Sequence, residues 1–480
     1  MIRDEQKTME TKFTPGLVAK RLMVCLFLAC SSSCQQIGYN HSEQREAETE
    51  PEIYYLVRAK NEIGVWMSLM RDNGGSVPLS PVYLSPVWYP PSALPPLEQA
   101  ILSRCTGDQE SCNLPDAKVE HILDNLTLSP DHKFLAWRDS LVYCPNANCV
   151  GMSQILLWDT ERKEVRTLLV VPRHISPLIS QNISDIAWSS NGVFIAYLHS
   201  SHELGWSRLR AIDIRSESTL HIDDNIYKFE WAPRSTRIAY IGWEYVDTER
   251  YAFLRIAKPG NQNATVSFNN DWDDIRSTSW SSDEKRVAVV ARTKALNGWG
   301  LFIANLENKT ITKITNLVDA QPQIARWSPL EPRIAVVSNL GKVVSILDVD
   351  SNMSTDIPAP ATYIFGENIS WSPNGQLIAV NTYPTQDQMI SNGIAFINTK
   401  TGSIMDWLNV DGISENWIWS TSGDDIIFNL ENKNTGCLNS PAHGIGLYDW
   451  QTGVIEPVVF HPHITDAIAN CEMIIGEIAP

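Results

Sequence analysis

The chain has 480 residues, of which 19% are charged and 9% aromatic, and its formal net charge is −17. This composition excludes a disordered chain and suits an ordered all-β protein. Acidity without a concentrated Lys/Arg footprint speaks against nucleic acid as a partner and is accounted for by solubility.

Residues 1–34 read as an export signal. Lys20-Arg21 precede the apolar run from Leu22 to Ala29, which is far shorter than the ~20 residues needed to span a bilayer and matches a signal-peptide core. Phe27-Leu28-Ala29-Cys30 resembles a bacterial lipobox, which implies lipidation of Cys30. Phe at −3 and Leu at −2 depart from the commonest pattern, so ordinary cleavage nearby is the alternative, and Cys34 is a second candidate. Residues 35–52 carry Glu43, Glu46, Glu48, Glu50 and Glu52 and read as a disordered acidic tether. The expected setting is the cell envelope, with a monomer attached to a membrane only through lipid.

Residues 53–480 read as one domain. Ile53 to Met70 forms a partial repeat, with strands at Glu52–Val57 and Gly64–Met70, a turn at Asp72-Asn-Gly-Gly75 and a further strand within Val77–Leu84. Residues 80–120 form a Pro-rich insertion that includes Trp88 and Tyr89 and a short helical stretch from Leu97 to Ser103. A loop of this length in a compact domain is functional or disordered.

From Leu128 onward one motif recurs. Its copies read Leu128-Ser-Pro-Asp, Trp188-Ser-Ser-Asn-Gly, Trp231-Ala-Pro-Arg, Trp280-Ser-Ser-Asp-Glu, Trp327-Ser-Pro-Leu-Glu, Trp371-Ser-Pro-Asn-Gly and Trp419-Ser-Thr-Ser-Gly. The Trp-to-Trp spacings are 43, 49, 47, 44 and 48 residues, a period that marks a repeat architecture. An apolar run follows each box, such as Phe194-Ile-Ala-Tyr or Arg286-Val-Ala-Val. Each copy predicts four short strands; in one of them these are Ile183–Trp188, Val193–Leu198, Leu209–Ile214 and Thr219–Ile222. The Ser, Pro, Asn, Asp and Gly of the box suit a tight reversal. A four-stranded sheet cannot keep both faces dry alone, and packing such sheets around an axis solves this. The box Trp is expected between neighbouring blades; a ring of aromatics around a ligand is the alternative.

These boxes, with third runs ending in Asp159, Asp213, Asn305, Asp348, Asn398 and Asp449, resemble the TolB-like, or WD40-like, β-propeller repeat over about residues 53–480. The resemblance implies an all-β propeller of four-stranded antiparallel blades and often a protein-binding role. Eight blades are expected, the first shared between the N-terminal partial repeat and a closing strand at Ile464–Ile475. Seven is the alternative, if the partial repeat packs outside the ring.

Nine cysteines are present. Proximity and blade logic suggest the pairs Cys105–Cys112, Cys144–Cys149 and Cys437–Cys471, among fifteen connectivities open to six cysteines. Disulfides of an oxidising compartment fit better than zinc, because no Cys-x-x-Cys or His cluster accompanies them.

The connections between second and third strands vary most in length: Asn339–Gly341 is minimal, while Asp139–Ser153, Thr382–Asn392 and Leu430–Gly444 are long. They share one face with the residue 80–120 insertion, and loops on a rigid scaffold carry recognition. Trp206, Trp243, Tyr245, Trp299 and Tyr383, with Trp88 and Tyr89, are the candidate ligand-binding residues. No Gly-x-Ser-x-Gly, His-Glu-x-x-His or phosphate-binding loop occurs, and no cofactor or metal is expected. Asp271, Asp273 and Asp274 could ligate Ca²⁺ but read more simply as a solvated acidic loop. The sequence thus points to a non-catalytic propeller binding a protein or other macromolecule. The alternative is a hydrolase or lyase, acting on glycans for instance, with a polar site at the mouth of the central channel.

Overall fold

The computed structural model describes residues 53–61, 64–72 and 82–84, and then residues 118–459 apart from positions 163 and 421 and segments 145–149, 174–180, 202–204, 269–270, 295–297, 315–320, 386–392, 409–412 and 431–443. The described residues form strands and turns, with no helix among them.

Strands β1 (Ile53–Asn61), β2 (Gly64–Asp72) and β3 (Val82–Leu84) make a three-stranded sheet, with Ile53 opposite Asp72 and Met67 opposite Leu84. Seven four-stranded antiparallel sheets follow, and the chain is a seven-bladed β-propeller. This corrects the expected count of eight. The β1–β3 sheet lacks a fourth strand among the described residues, so it is a partial sheet and not a further blade. The segment expected to close it, residues 464–475, lies outside the described residues.

Each blade runs consecutively from first strand to fourth. The first strands are β4 (Lys118–Leu128), β8 (Gln181–Trp188), β12 (Ile226–Trp231), β16 (Trp272–Trp280), β20 (Ile324–Trp327), β24 (Tyr363–Trp371) and β28 (Ile413–Trp419). From β4 through β20 each touches the first strand of the next blade, so the first strands are the innermost, nearest the axis. All but β20 carry a register shift a few residues before the box, a repeated bulge that bends the strand along the axis.

The box works in two ways. Its serine ties the turn: in the second blade Ser189 Oγ donates to Asn191 at 2.8 Å and accepts from Phe194 N at 2.9 Å. Ser129, Ser281 and Ser372 repeat the pattern with Asp131, Asp283 and Asn374. The residue three after the serine then takes positive φ, which Gly192, Gly375 and Gly423 meet without a side-chain clash. The box tryptophan joins blades. Trp280 is 5% exposed and packs on Ile241, Leu254 and Ile256 of the preceding blade. The indoles of Trp188, Trp231, Trp280 and Trp371 donate to the carbonyls of Thr127, Ala187, Glu230 and Arg326, each the residue just before the preceding box position.

In the first six blades the residue at, or just before, the start of the second strand covers the next blade's indole. Phe134 stacks on Trp188 and Phe194 on Trp231, with centroids 6.4 and 6.5 Å apart. Arg237, Arg286 and Arg333 lie 5.3, 5.2 and 5.6 Å above Trp280, Trp327 and Trp371, and Leu377 packs with Trp419. The Asp or Asn ending each third strand is likewise structural: Asp213 Oδ1 accepts from Arg215 N and Ser216 N, and Asn398 Oδ1 from Lys400 N and Thr401 N.

The third blade departs from this scheme. Its box, Trp231-Ala-Pro-Arg, has no serine. Glu284 of the fourth blade supplies the missing acceptor: its carboxylate takes Arg234 N at 2.5 Å, Ser235 N at 2.8 Å and Arg237 Nη2 at 2.9 Å. Glu284 occupies a position held by Gly in other boxes, at φ 57°. The strained backbone is offset by charge-assisted hydrogen bonds to the neighbour.

Candidate functional site

The connections between second and third strands, and those from blade to blade, leave at one end of the propeller. At this end the second strand β9 (Phe194–Ser201) and third strand β10 (Trp206–Asp213) of the second blade pair as far as Ser201 opposite Trp206. In the third blade β13 (Ile238–Val246) and β14 (Glu249–Lys258) join through Asp247-Thr248 alone, both at positive φ, as two-residue hairpins require. Trp206, Trp243, Tyr245 and Trp299 therefore sit on strands and not on loops, and so does Tyr383. The stretch Asp139–Ser153 is also corrected: strand occupies residues 139–144 and 150–153 of it. Its polar residues satisfy one another across the ladder, with Gln154 donating to Asp139 at 2.9 Å and Ser140 facing Ser153 at 2.9 Å.

Three consecutive blades bring their aromatics to this end, and arginines lie on them. On the second blade, His199 meets Trp206 edge-on at 5.0 Å, and the Arg208 guanidinium lies 4.5 Å above the same indole. His199 is 8% exposed. Burial, then Arg210 and Arg208, lower its pKa to about 4, so it is neutral at pH 7. On the third blade, Trp243 stacks on Tyr227 at 5.6 Å, and Arg250 lies 4.8 Å above its ring. The Tyr227 hydroxyl donates to Ile275 O at 2.7 Å, tying this stack to the fourth blade; burial, then Asp274, push it well above its ordinary value. On the fourth blade, Trp299 has Arg276 at 3.9 Å and Arg292 at 5.5 Å. Lys294 of this blade pairs with Glu249 of the third.

Tyr245 projects at 67% exposure beside the Trp243 stack. Tyr383 lies on the sixth blade, half-buried against Gly366, apart from the other four. Trp88, Tyr89, Cys30, Cys105, Cys112, Cys149, Cys437 and Cys471 lie outside the described residues, as does the side chain of Cys144, which ends its strand. Asp271 precedes β16, and Trp272, Asp273 and Asp274 open it; Asp273 pairs with Arg292 at 3.0 Å and Trp272 is buried, so Asp273 is held by an arginine.

The stacking arginines escaped the sequence reading. Their signal is weak: Arg208 and Arg250 stand on the strand carrying the indole or on the strand paired with it, at no constant offset. The plate has flat aromatic surface, held rigid by stacking, with guanidinium edges beside it. It is suited to recognition, since arginine and tryptophan dominate interface hot spots. Arg208 and Arg292 pair with Asp224 and Asp273, whereas Arg250 and Arg276 have no ion pair among the described residues.

No family model matches the chain, and no curated protein matches it. Among solved structures it is similar to the dihydro-heme d1 dehydrogenase NirN in complex with DHE, with TM-score 0.52 and 12% identity over 88% of this chain and 78% of that one. It is also similar to a chain from a structural and mechanistic analysis of two prolyl endopeptidases, with TM-score 0.51 and 14% identity over 70% of this chain. It spans 49% of that chain's length. Likenesses at such identities show the propeller fold alone.

Proposed function

We propose that this chain is a non-catalytic, TolB-like propeller, exported and lipid-anchored at Cys30, that holds a protein or other macromolecular ligand on the end carrying Trp206, Trp243, Tyr245 and Trp299. The observation that carries the reading is that three successive blades each place a tryptophan under an arginine at this one end. Affinity capture from envelope extracts tests it. Trp206→Ala, Trp243→Ala and Trp299→Ala lose the partner, while Leu330→Ser, an exposed site on a turn at the opposite end, retains it. Equal recovery by all four variants contradicts the reading.

A hydrolase or lyase acting at the channel mouth is the second reading, and it would draw on Lys228, Glu230 and Arg326 of the innermost strands. Both oxygens of Glu230 already accept from the fourth blade, Oε1 from Trp280 N and Oε2 from Thr278 Oγ1, each at 3.4 Å. The carboxylate is thus placed as a link between blades, which favours the binding reading.

A further inference from the structure

The second and third blades pack through a shared core that includes Leu198, Leu209, Ile238, Tyr240 and Ala257. Between β11 (Ser218–Asp224), the last strand of the second blade, and strands β13, β14 and β15 (Asn261–Phe268) of the third lies a cavity of ≈ 340 Å³. Small-molecule sites span about 300–1,000 Å³.

The lining has an apolar part and a polar part. Ile222, Ala257 and the buried Pro259 supply the first, and Ile222 and Ala257 belong to the packing between the blades. Tyr240 and Arg255 stand opposite each other in the β13–β14 register and supply part of the second. The Arg255 guanidinium lies 3.8 Å over the Phe253 ring and donates to Asp223 at 3.0 Å and to Glu244 at 2.6 Å. These contacts hold it in place, and the two carboxylates take two of its five N–H groups. Both oxygens of Asp223 are engaged, since Oδ1 accepts from Asp224 N at 2.9 Å. His221 and Lys258 line the cavity from exposed positions, and Lys258 forms no ion pair among the described residues.

Charge decides the class of ligand. Asp223 and Glu244 are bound by Arg255, and Asp224 by Arg208 at 3.1 Å, with His221 Nε2 3.7 Å from the same carboxylate. With Lys258 the cations and carboxylates around the cavity balance. An ionised ligand of either sign would therefore lie against its like, whereas a hydroxyl-rich neutral one would not, because each hydroxyl both donates and accepts. We propose that this cavity between blades binds a neutral sugar residue, whose ring C–H groups lie on Ile222, Ala257 and Pro259 while Arg255, His221 and Lys258 donate to its hydroxyls. The cavity shares no lining residue with the Trp206, Trp243 and Trp299 stacks, so it stands whether or not those stacks bind a macromolecule.

The test is titration of the full chain with glucose, galactose, mannose and N-acetylglucosamine, with glucuronate and glucosamine as charged counterparts, read by saturation-transfer NMR and by thermal unfolding. At least one neutral sugar is expected to bind saturably, more tightly than the charged sugars and almost equally at low and high salt, because no ion pair forms that salt could screen. Lys258→Ala and His221→Ala alter exposed side chains, so both fold, and each weakens binding a few-fold. Arg255→Lys keeps a cation beside Asp223 and Glu244 but loses the planar fork, and weakens binding about tenfold or more. Should that variant fail to fold, the two exposed variants decide. The proposal is overturned if no neutral sugar binds, if a charged sugar binds more tightly, or if binding falls steeply with salt. Saturable binding left unchanged by Lys258→Ala and His221→Ala lies elsewhere on the protein and equally overturns it.

Discussion

Trp280 and Trp327 are a matched pair. They are 5% and 6% exposed, each is overlain by an arginine at 5.3 or 5.2 Å, and each packs on the preceding blade. They differ in one bond. The Trp280 indole donates to Glu230 O at 3.1 Å, whereas the buried Trp327 Nε1 finds no acceptor. Replacing either by Phe removes similar ring volume and costs a similar cavity and transfer term. Trp280→Phe also strands a carbonyl at the blade interface, about 1–3 kcal/mol, while Trp327→Phe removes a donor that was already unpaired. The first variant should therefore be less stable than the second by about 1–3 kcal/mol. Urea unfolding followed by far-UV circular dichroism measures the difference in midpoints at common slope. Equal midpoints, or a lower one for Trp327→Phe, would refute the claim that the indole N–H joins blades.

Three further outcomes follow from named contacts. Burial raises the Glu284 carboxyl, but hydrogen bonds from Arg237, Ser235 and Arg234 outweigh it and hold the pKa below its ordinary 4.5. Its contribution is complete above pH 4.5 and is lost as pH falls through the depressed folded value, so Glu284→Gln should shrink the acid-side loss of stability; an unchanged acid limb counts against the inter-blade cap. His199, lowered from 6.5 to about 4, leaves the unfolded chain binding the extra proton between those values. Stability is then complete above pH 6.5 and declines as pH falls toward about 4, and an imidazole NMR midpoint near 6.5 would show that the ring is not buried as described. The first blade's central hairpin pairs Tyr143 with Val150, and the sequence suggests a Cys144–Cys149 disulfide beside it. Peptide mapping without reduction should recover that pair linked, and free thiols at both positions in protein prepared under oxidising conditions would contradict it.

Much of the fold is legible in the repeated box. A serine three residues before a glycine, flanked by apolar runs, admits few structures, and the strands lie within a few residues of their expected positions. The eighth blade was misjudged because Ile53–Met70 supplies real strands, which form only a three-stranded sheet among the described residues. The loops were overdrawn for a different reason. Asp139, Ser140, Ser153 and Gln154 look like loop residues, yet they are buried and paired across a ladder. The covering residue at the start of the second strand was also opaque. Phe, Arg and Leu share no chemistry in a sequence, but each presents a flat or long apolar surface to an indole. The charges on the innermost strands were readable in principle, since Glu230 and Arg326 stand where the other five blades carry Thr, Ala, Ser or Ile.

The central claim, that the arginine-covered aromatic end is the binding surface, is tested most directly by site-specific photo-crosslinking. A photoreactive amino acid placed at position 245, exposed beside the Trp243 stack, should capture the partner in the native envelope, whereas one at position 330 on the opposite end should not. Adducts formed at position 330 and absent at position 245 would contradict the account.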